Sequence, residues 1–277
     1  MEKQALKELL KSIKENDYTV PQGVNPYQLS LEMMNNIGDI DSELRDELIL
    51  SNLFTWINDG VLSTNEVYNL LMIALDEEHI LKGLGSINDS VFSRTFSIEI
   101  VASVIHRHRK EKFISESDIQ KAFNTVLKFY NEDKDVRGYV EDKGWAHGTA
   151  HGADALDEFA RCKEIGYEGL KIILDAIYKK VNINHYGYIH FEDERMITAV
   201  KAVLERKIIP AEEIKDWIES FKKIKKTAIL QEDLVIEFNV NAFLKSLYFR
   251  LIDKPEYEQI TNLVKEVLKE ISRFGKY

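Results

Sequence analysis

Apolar residues recur along most of this chain at intervals of three and four, the spacing that gathers them on one face of an α-helix. Leu6, Leu9, Leu10 and Ile13 mark one such face, and Leu44, Leu48, Ile49 and Trp56 mark another. Ser63-Thr64-Asn65-Glu66 has the form of a capping box and predicts a helix over Val67 to Leu75. Val91 to His108 is apolar on nearly every side, which predicts a long, largely buried helix. Ser115 with Asp118 opens a further one over Ile119 to Tyr130. A helix is expected from about Trp145 to Cys162, and others over roughly Tyr167 to Val181, Glu192 to Lys207, Ala211 to Phe221, Val235 to Leu251 and Glu256 to Phe274. Pro210 and Pro255 suit first-turn positions. Strand-like alternation is sparse. Tyr186 to Phe191 is its best candidate and reads equally well as a loop.

The pattern therefore predicts an all-α protein. About a dozen helices in pairs of roughly forty residues is the organisation of HEAT- or armadillo-like arrays, here irregular because no crisp repeat consensus is visible. Such pairs bury their apolar faces only by stacking on one another, so residues 1–277 are expected to form one domain. Two long connections break the rhythm, Asn131 to Lys143 and Asn182 to Phe191. Long loops in a compact helical protein often carry function, which directs attention to the central region 131–195.

Composition narrows the function classes. The 277 residues are 44% hydrophobic, and Gly (13) and Pro (4) are scarce, so a large core is expected and flexible linkers are not. The formal charge of −10, with both signs interspersed, argues against a general nucleic-acid binder. Lys222, Lys223, Lys225 and Lys226 form one basic cluster, read as a solvated helix end. The lone cysteine, Cys162, excludes an internal disulfide and reads as buried filler in a cytoplasmic protein. The N-terminus carries no secretory signal pattern, and no apolar run is long enough to span a bilayer.

The chemistry concentrates in Gly144-Trp145-Ala146-His147-Gly148-Thr149-Ala150-His151-Gly152-Ala153-Asp154. At about 100° per residue, a helix places His147, His151, Asp154 and Glu158 on one narrow stripe. Gly144, Gly148 and Gly152 fall on a neighbouring stripe, where something is expected to approach the helix closely.

Asp135-Val136-Arg137-Gly138-Tyr139, Gly144-Trp145-Ala146-His147 and Ala150-His151-Gly152-Ala153-Asp154 together resemble the signature of the domain-of-unknown-function 2785 family. Val91 to Ser97 and Glu192-Asp193-Glu194-Arg195 resemble the same family's pattern. The resemblance implies a bacterial, intracellular protein and implies no reaction.

Three readings of the constellation stay open. In the first, His147, His151 and Asp154 hold a divalent metal such as zinc, with Glu192, Asp193 or His190 as a further ligand, and the protein is a metal-dependent hydrolase. The glutamate of an H-E-x-x-H motif is missing, since Gly148 follows His147. In the second, no metal is needed. His147 or His151 acts as acid or base with Asp154 fixing its tautomer, Arg137 and Arg195 receive an anionic group, and Tyr139, Trp145 and Tyr188 wall the pocket. In the third, the histidines are buried and hydrogen-bonded, Trp145 is core, and Arg137 bridges to Glu192 or Asp193. The third, joined to a binding or scaffold role for a protein, peptide or small anionic ligand, is the reading adopted from sequence, with the metal hydrolase as the alternative. Elsewhere, His106 and His108 read as groups complementing a helix C-terminus, and Arg94 as half of a structural ion pair.

Overall fold

The computed structural model describes residues 1–224 and 226–274; Lys225 of the basic cluster lies outside them. The fold is all-α, as the periodicity predicts. Twelve α-helices are described: α1 (Lys3–Glu15), α2 (Pro26–Asn35), α3 (Ser51–Asn58), α4 (Thr64–Ala74), α5 (Ser90–Lys110), α6 (Glu116–Glu132), α7 (Gly148–Arg161), α8 (Tyr167–Val181), α9 (Glu192–Arg206), α10 (Ala211–Ser220), α11 (Leu230–Leu251) and α12 (Glu258–Ile271). A π-helical stretch, Glu43–Leu50, runs directly into α3. The Ser63/Glu66 capping box is present in full, and the Ser115 hydroxyl accepts from the Asp118 N–H.

Helix hairpins stack so that alternate helices run in the same direction. Asn58 of α3 donates to Ser103 of α5, while Arg45 of the π-helical turn lies over the Phe92 and Phe96 rings one end earlier. His151 of α7 meets Thr95 of α5, and Glu158 meets His106 further along. Arg195 of α9 pairs with Asp154 of α7, and Glu205 pairs with Arg161. On α11, Ser246 donates to Asp193 and Arg250 pairs with Glu194. Thus α3, α5, α7, α9 and α11 form one layer. In the second layer, Tyr68 (α4) donates to Asp118 (α6), Gln120 reaches the loop entering α8, and Trp217 (α10) donates to Leu174 O of α8. Apolar side chains from Leu6 to Val267 form one buried cluster between the layers. The nearly moment-free α5 lies inside it, with fifteen of its residues buried.

The motif segment departs from its expected helix. Gly144–Trp145 pairs antiparallel with Tyr139–Val140 as a short hairpin, Tyr139 opposite Trp145. Gly144 has φ +79°, and a Cβ there would meet Ser42 Cβ at 2.7 Å and Arg45 Nη2 at 3.1 Å, so only glycine fits. Helix α7 begins at Gly148, with His147 as its left-handed N-cap residue at φ 52°. The predicted stripe therefore holds for His151, Asp154 and Glu158 but not for His147. The glycine spacing does mark close approach. A Cβ on Gly152 would lie 2.8 Å from Tyr130 Cε2, and one on Gly148 would lie 3.2 Å from Thr95 Cγ2. Tyr186 to Phe191 is loop, not strand.

Two fully buried arginines hold the loops around this hairpin. Arg45 donates to Asp39 O at 2.6 Å and Lys143 O at 2.7 Å. Arg94 pairs with Asp133 at 2.9 Å and donates to Lys82 O, Gly83 O and Ser86 O. The structural ion pair expected of Arg94 is present. Among the described residues no helix is long and apolar enough to cross a membrane.

Candidate functional site

A continuous strip of side chains runs from the hairpin across α7 to α9. Tyr139 packs edge-on against Trp145, with centroids 5.2 Å apart. Trp145 stacks on His147 at 4.8 Å and 24°, and it is 39% exposed, so it is a platform at the surface and not the core residue considered above. His147 and His151 follow edge-to-face at 5.6 Å. His151 faces Glu99 of α5, Glu99 faces Asp154, and Asp154 is chelated by the Arg195 guanidinium.

Hydrogen bonds fix both imidazoles. His151 Nδ1 lies 3.2 Å from Thr95 O. A carbonyl only accepts, so Nδ1 carries the ring proton and Nε2 keeps its lone pair. That lone pair points toward Glu99 Oε1 at 3.9 Å, beyond hydrogen-bond range. Glu99 Oε1 is buried and has no partner among the described residues. The tautomer of His151 is thus set by Thr95, not by Asp154. His147 Nε2 lies 3.1 Å from His190 O and donates to it, leaving Nδ1 as the lone-pair nitrogen. Burial lowers both imidazoles to a pKa of about 4; Arg195 acts in the same direction on both and His151 on His147, while Asp154 pulls His151 the other way.

The carboxyls shift the other way. Burial pushes Glu99 up to about 7 against the pull of Arg195 and of its hydrogen bond with Asp154. Burial and the neighbouring Glu99 push Asp154 up to about 7 as well. Each carboxyl is thus held near neutrality, Asp154 in part by the charge of its neighbour Glu99. Glu192, 1% exposed, has an Oε1 without a partner, 3.7 Å from His147 Nε2 and 3.8 Å from His190 Nδ1. Burial raises its pKa too.

The remaining predicted residues fall into place around this strip. Arg137 is bidentate to Asp135 at 2.8 and 2.6 Å and reaches Asn88 O; it does not bridge to Glu192 or Asp193. Asp193 turns to α11 and accepts from Ser246 Oγ at 2.6 Å. Tyr188 is buried and donates to Lys180 O, so it does not wall a pocket. Both arginines offered for an anion are therefore engaged by carboxylates. His147, His151 and Asp154 do not converge on one point: their free nitrogens are Nδ1 of one ring and Nε2 of the other, and Arg195 occupies the Asp154 carboxylate. Among the described residues no three His, Cys, Asp or Glu side chains stand where they could hold a metal ion. Sequence reading missed Glu99 as a site residue. Its one signal was a lone acid interrupting the apolar run Ile98 to Ile105.

The arrangement defines an all-helical protein with buried, hydrogen-bonded imidazoles beside a pair of carboxyls raised by burial on one layer of parallel helices. A family model described as "Protein of unknown function (DUF2785)" matches residues 80–249, and the chain belongs to that family. The match includes every residue of the strip from Glu99 to Arg195. No curated protein and no solved structure matches the chain.

Proposed function

We propose that the chain is a cytoplasmic binding protein, an irregular helical-repeat array of the HEAT/armadillo kind, whose central strip receives a primary ammonium group such as the lysine side chain of a peptide or protein partner. One observation carries this reading: Glu99 Oε1 and His151 Nε2 are two acceptors facing each other across 3.9 Å with no donor between them. An ammonium about 2.8 Å from each would satisfy both with charge-assisted hydrogen bonds.

The charge balance supports a cation. Glu99, Asp154 and Glu192 contribute three carboxyls, while among the described residues Arg195 is the strong cation that pairs with Asp154 and acts on Glu99. Burial raises Glu99 and Asp154 to about 7, so they bind protons near neutrality, and a ligand ammonium would supply that positive charge instead. The exposed Trp145 and Tyr139 offer aromatic surface to an aliphatic stem and its charge. Lysine carries its ammonium on a four-carbon stem, which suits a strip with aromatic rings at one end and carboxyls at the other. An anion would meet the carboxyls with Arg137 and Arg195 already paired.

Calorimetric titration with n-butylammonium chloride tests the reading, beside the neutral N-butylacetamide and a capped lysine peptide. Saturable heat is expected with the ammonium and with the peptide, none with the amide, and none for either in Glu99→Gln. Equal binding of the amide, or binding that survives Glu99→Gln, contradicts it.

A further inference from the structure

The C-termini of α5 and α7 and the loops that follow them enclose a second cavity, of about 310 Å³. Its lining holds five Lys or Arg side chains and two histidines against a single carboxylate, Glu164. This is a sharp local reversal in a chain whose formal charge is −10.

His108 makes the cavity more than a solvated helix end. Its side chain is 1% exposed. Its Nδ1 accepts the backbone N–H groups of Phe113 at 3.2 Å and Ile114 at 3.1 Å, so the ring proton resides on Nε2. That N–H is buried and has no hydrogen-bond partner among the described residues, and Glu164 Oε1 stands 3.7 Å away. Glu164 is itself neutralised by Lys112 at 2.6 Å. Arg109 is held by Glu158, and Arg161 by Asp157 and Glu205. Lys110 and Lys163 are exposed and enter none of these pairs. The negative end of the α7 dipole is covered, because Arg206 donates to Ala160 O, Cys162 O and Ile165 O.

We infer that this cavity binds the phosphoryl group of a small phosphorylated ligand, with His108 Nε2–H and the Lys110 and Lys163 ammoniums as its donors. Its volume lies at the small end of ligand pockets, which limits the organic part of that ligand to a small group. The buried imidazole supplies a fixed donor, and the two uncommitted lysines supply charge that no internal carboxylate consumes. The site is separate from the ammonium strip and does not depend on it.

Calorimetric titration of the full chain with inorganic phosphate at low ionic strength is the test. One saturable site is expected. Lys110→Ala/Lys163→Ala should weaken it about tenfold or more, the scale of charge-assisted hydrogen bonds. His108→Asn, whose amide oxygen can still accept the two backbone N–H groups, should weaken it similarly at unchanged melting temperature. Lys222→Ala/Lys223→Ala, an equal loss of charge elsewhere, should leave it unaltered. Absence of saturable binding, or equal losses in the Lys110/Lys163 and Lys222/Lys223 variants, overturns the inference. Should His108→Asn fail to fold, the lysine variants decide.

Discussion

Glu99 of α5 and His151 of α7 face each other across 3.9 Å, each presenting an acceptor that no donor among the described residues satisfies. A buried acceptor left unpaired, as Glu99 Oε1 is, costs roughly 1–3 kcal/mol, so a donor supplied there from outside would recover that cost. Glu99→Gln replaces one acceptor with an amide that can donate to His151 Nε2. The variant is expected to be more stable than wild type by about 1 kcal/mol while losing ammonium binding. Chemical denaturation beside calorimetry checks both. A destabilised variant would mean that the Glu99 charge is needed to hold the fold.

Ligand binding should release a proton. Burial pushes Glu99 and Asp154 up to about 7, and a bound ammonium would favour their charged forms, displacing protons held there. Affinity for n-butylammonium should therefore rise as pH increases through about 7 and level off above it. Calorimetry in buffers of different ionisation enthalpy should report the released proton at pH 6.5. Affinity independent of pH from 6 to 8 would separate the carboxyl pair from binding.

Stability should also depend on pH, through two opposed effects. His147 and His151 are held at about 4, so the unfolded chain binds more protons than the fold between about 4 and 6.5. Their contribution is full above that window and is lost as pH falls through it. Glu99 and Asp154 are raised to about 7, so the fold binds more protons than the unfolded chain from about 4 to 7. Their contribution is full at low pH and is lost as pH rises. Glu99→Gln/Asp154→Asn removes the carboxyl effect and leaves the histidine effect in place. Relative to wild type its stability should climb from about pH 4 to 7 and run level above 7. Parallel wild-type and variant curves would contradict the assigned shifts.

Gly152 is where α7 crosses the Tyr130 ring. Gly152→Ala adds helix propensity, worth up to about 1 kcal/mol. It also places a Cβ 2.8 Å from Tyr130 Cε2, an overpacking that costs about 1–3 kcal/mol. A net loss of stability is expected. Gly166→Ala, where a Cβ meets nothing within 4 Å, serves as the neutral control. Thermal denaturation of the pair measures the difference.

Much of this architecture is written in local pattern. Helices such as α8, Tyr167–Val181, coincide with their apolar periodicity, and the Ser63 capping box marks the true start of α4. What local pattern misses is set by long-range contacts. The motif helix starts at Gly148 and not Trp145 because Arg45 grips Lys143 O from 98 residues away, and Gly144 turns left-handed against it. A two-residue strand is too short to show a period. Asp154 was legible as a site residue, since it shares a helical stripe with His151. Its partner Glu99 was not, because an acid inside an apolar run does not announce which helix it will face. Arg137 pairs with Asp135 two residues away, a local contact that takes the place of the expected bridge to Glu192 or Asp193.

The most direct test of the ammonium site is the ¹⁵N spectrum of the His151 ring, recorded without and with n-butylammonium. In the free protein at pH 7, Nδ1 should carry the proton and Nε2 should give the signal of a bare lone pair. On titration, Nε2 should move toward the position of a hydrogen-bond acceptor, with Nδ1 unchanged. A free-state Nε2 that is already protonated, or one that does not respond to the ammonium, would contradict the assignment of this strip as a cation-binding site.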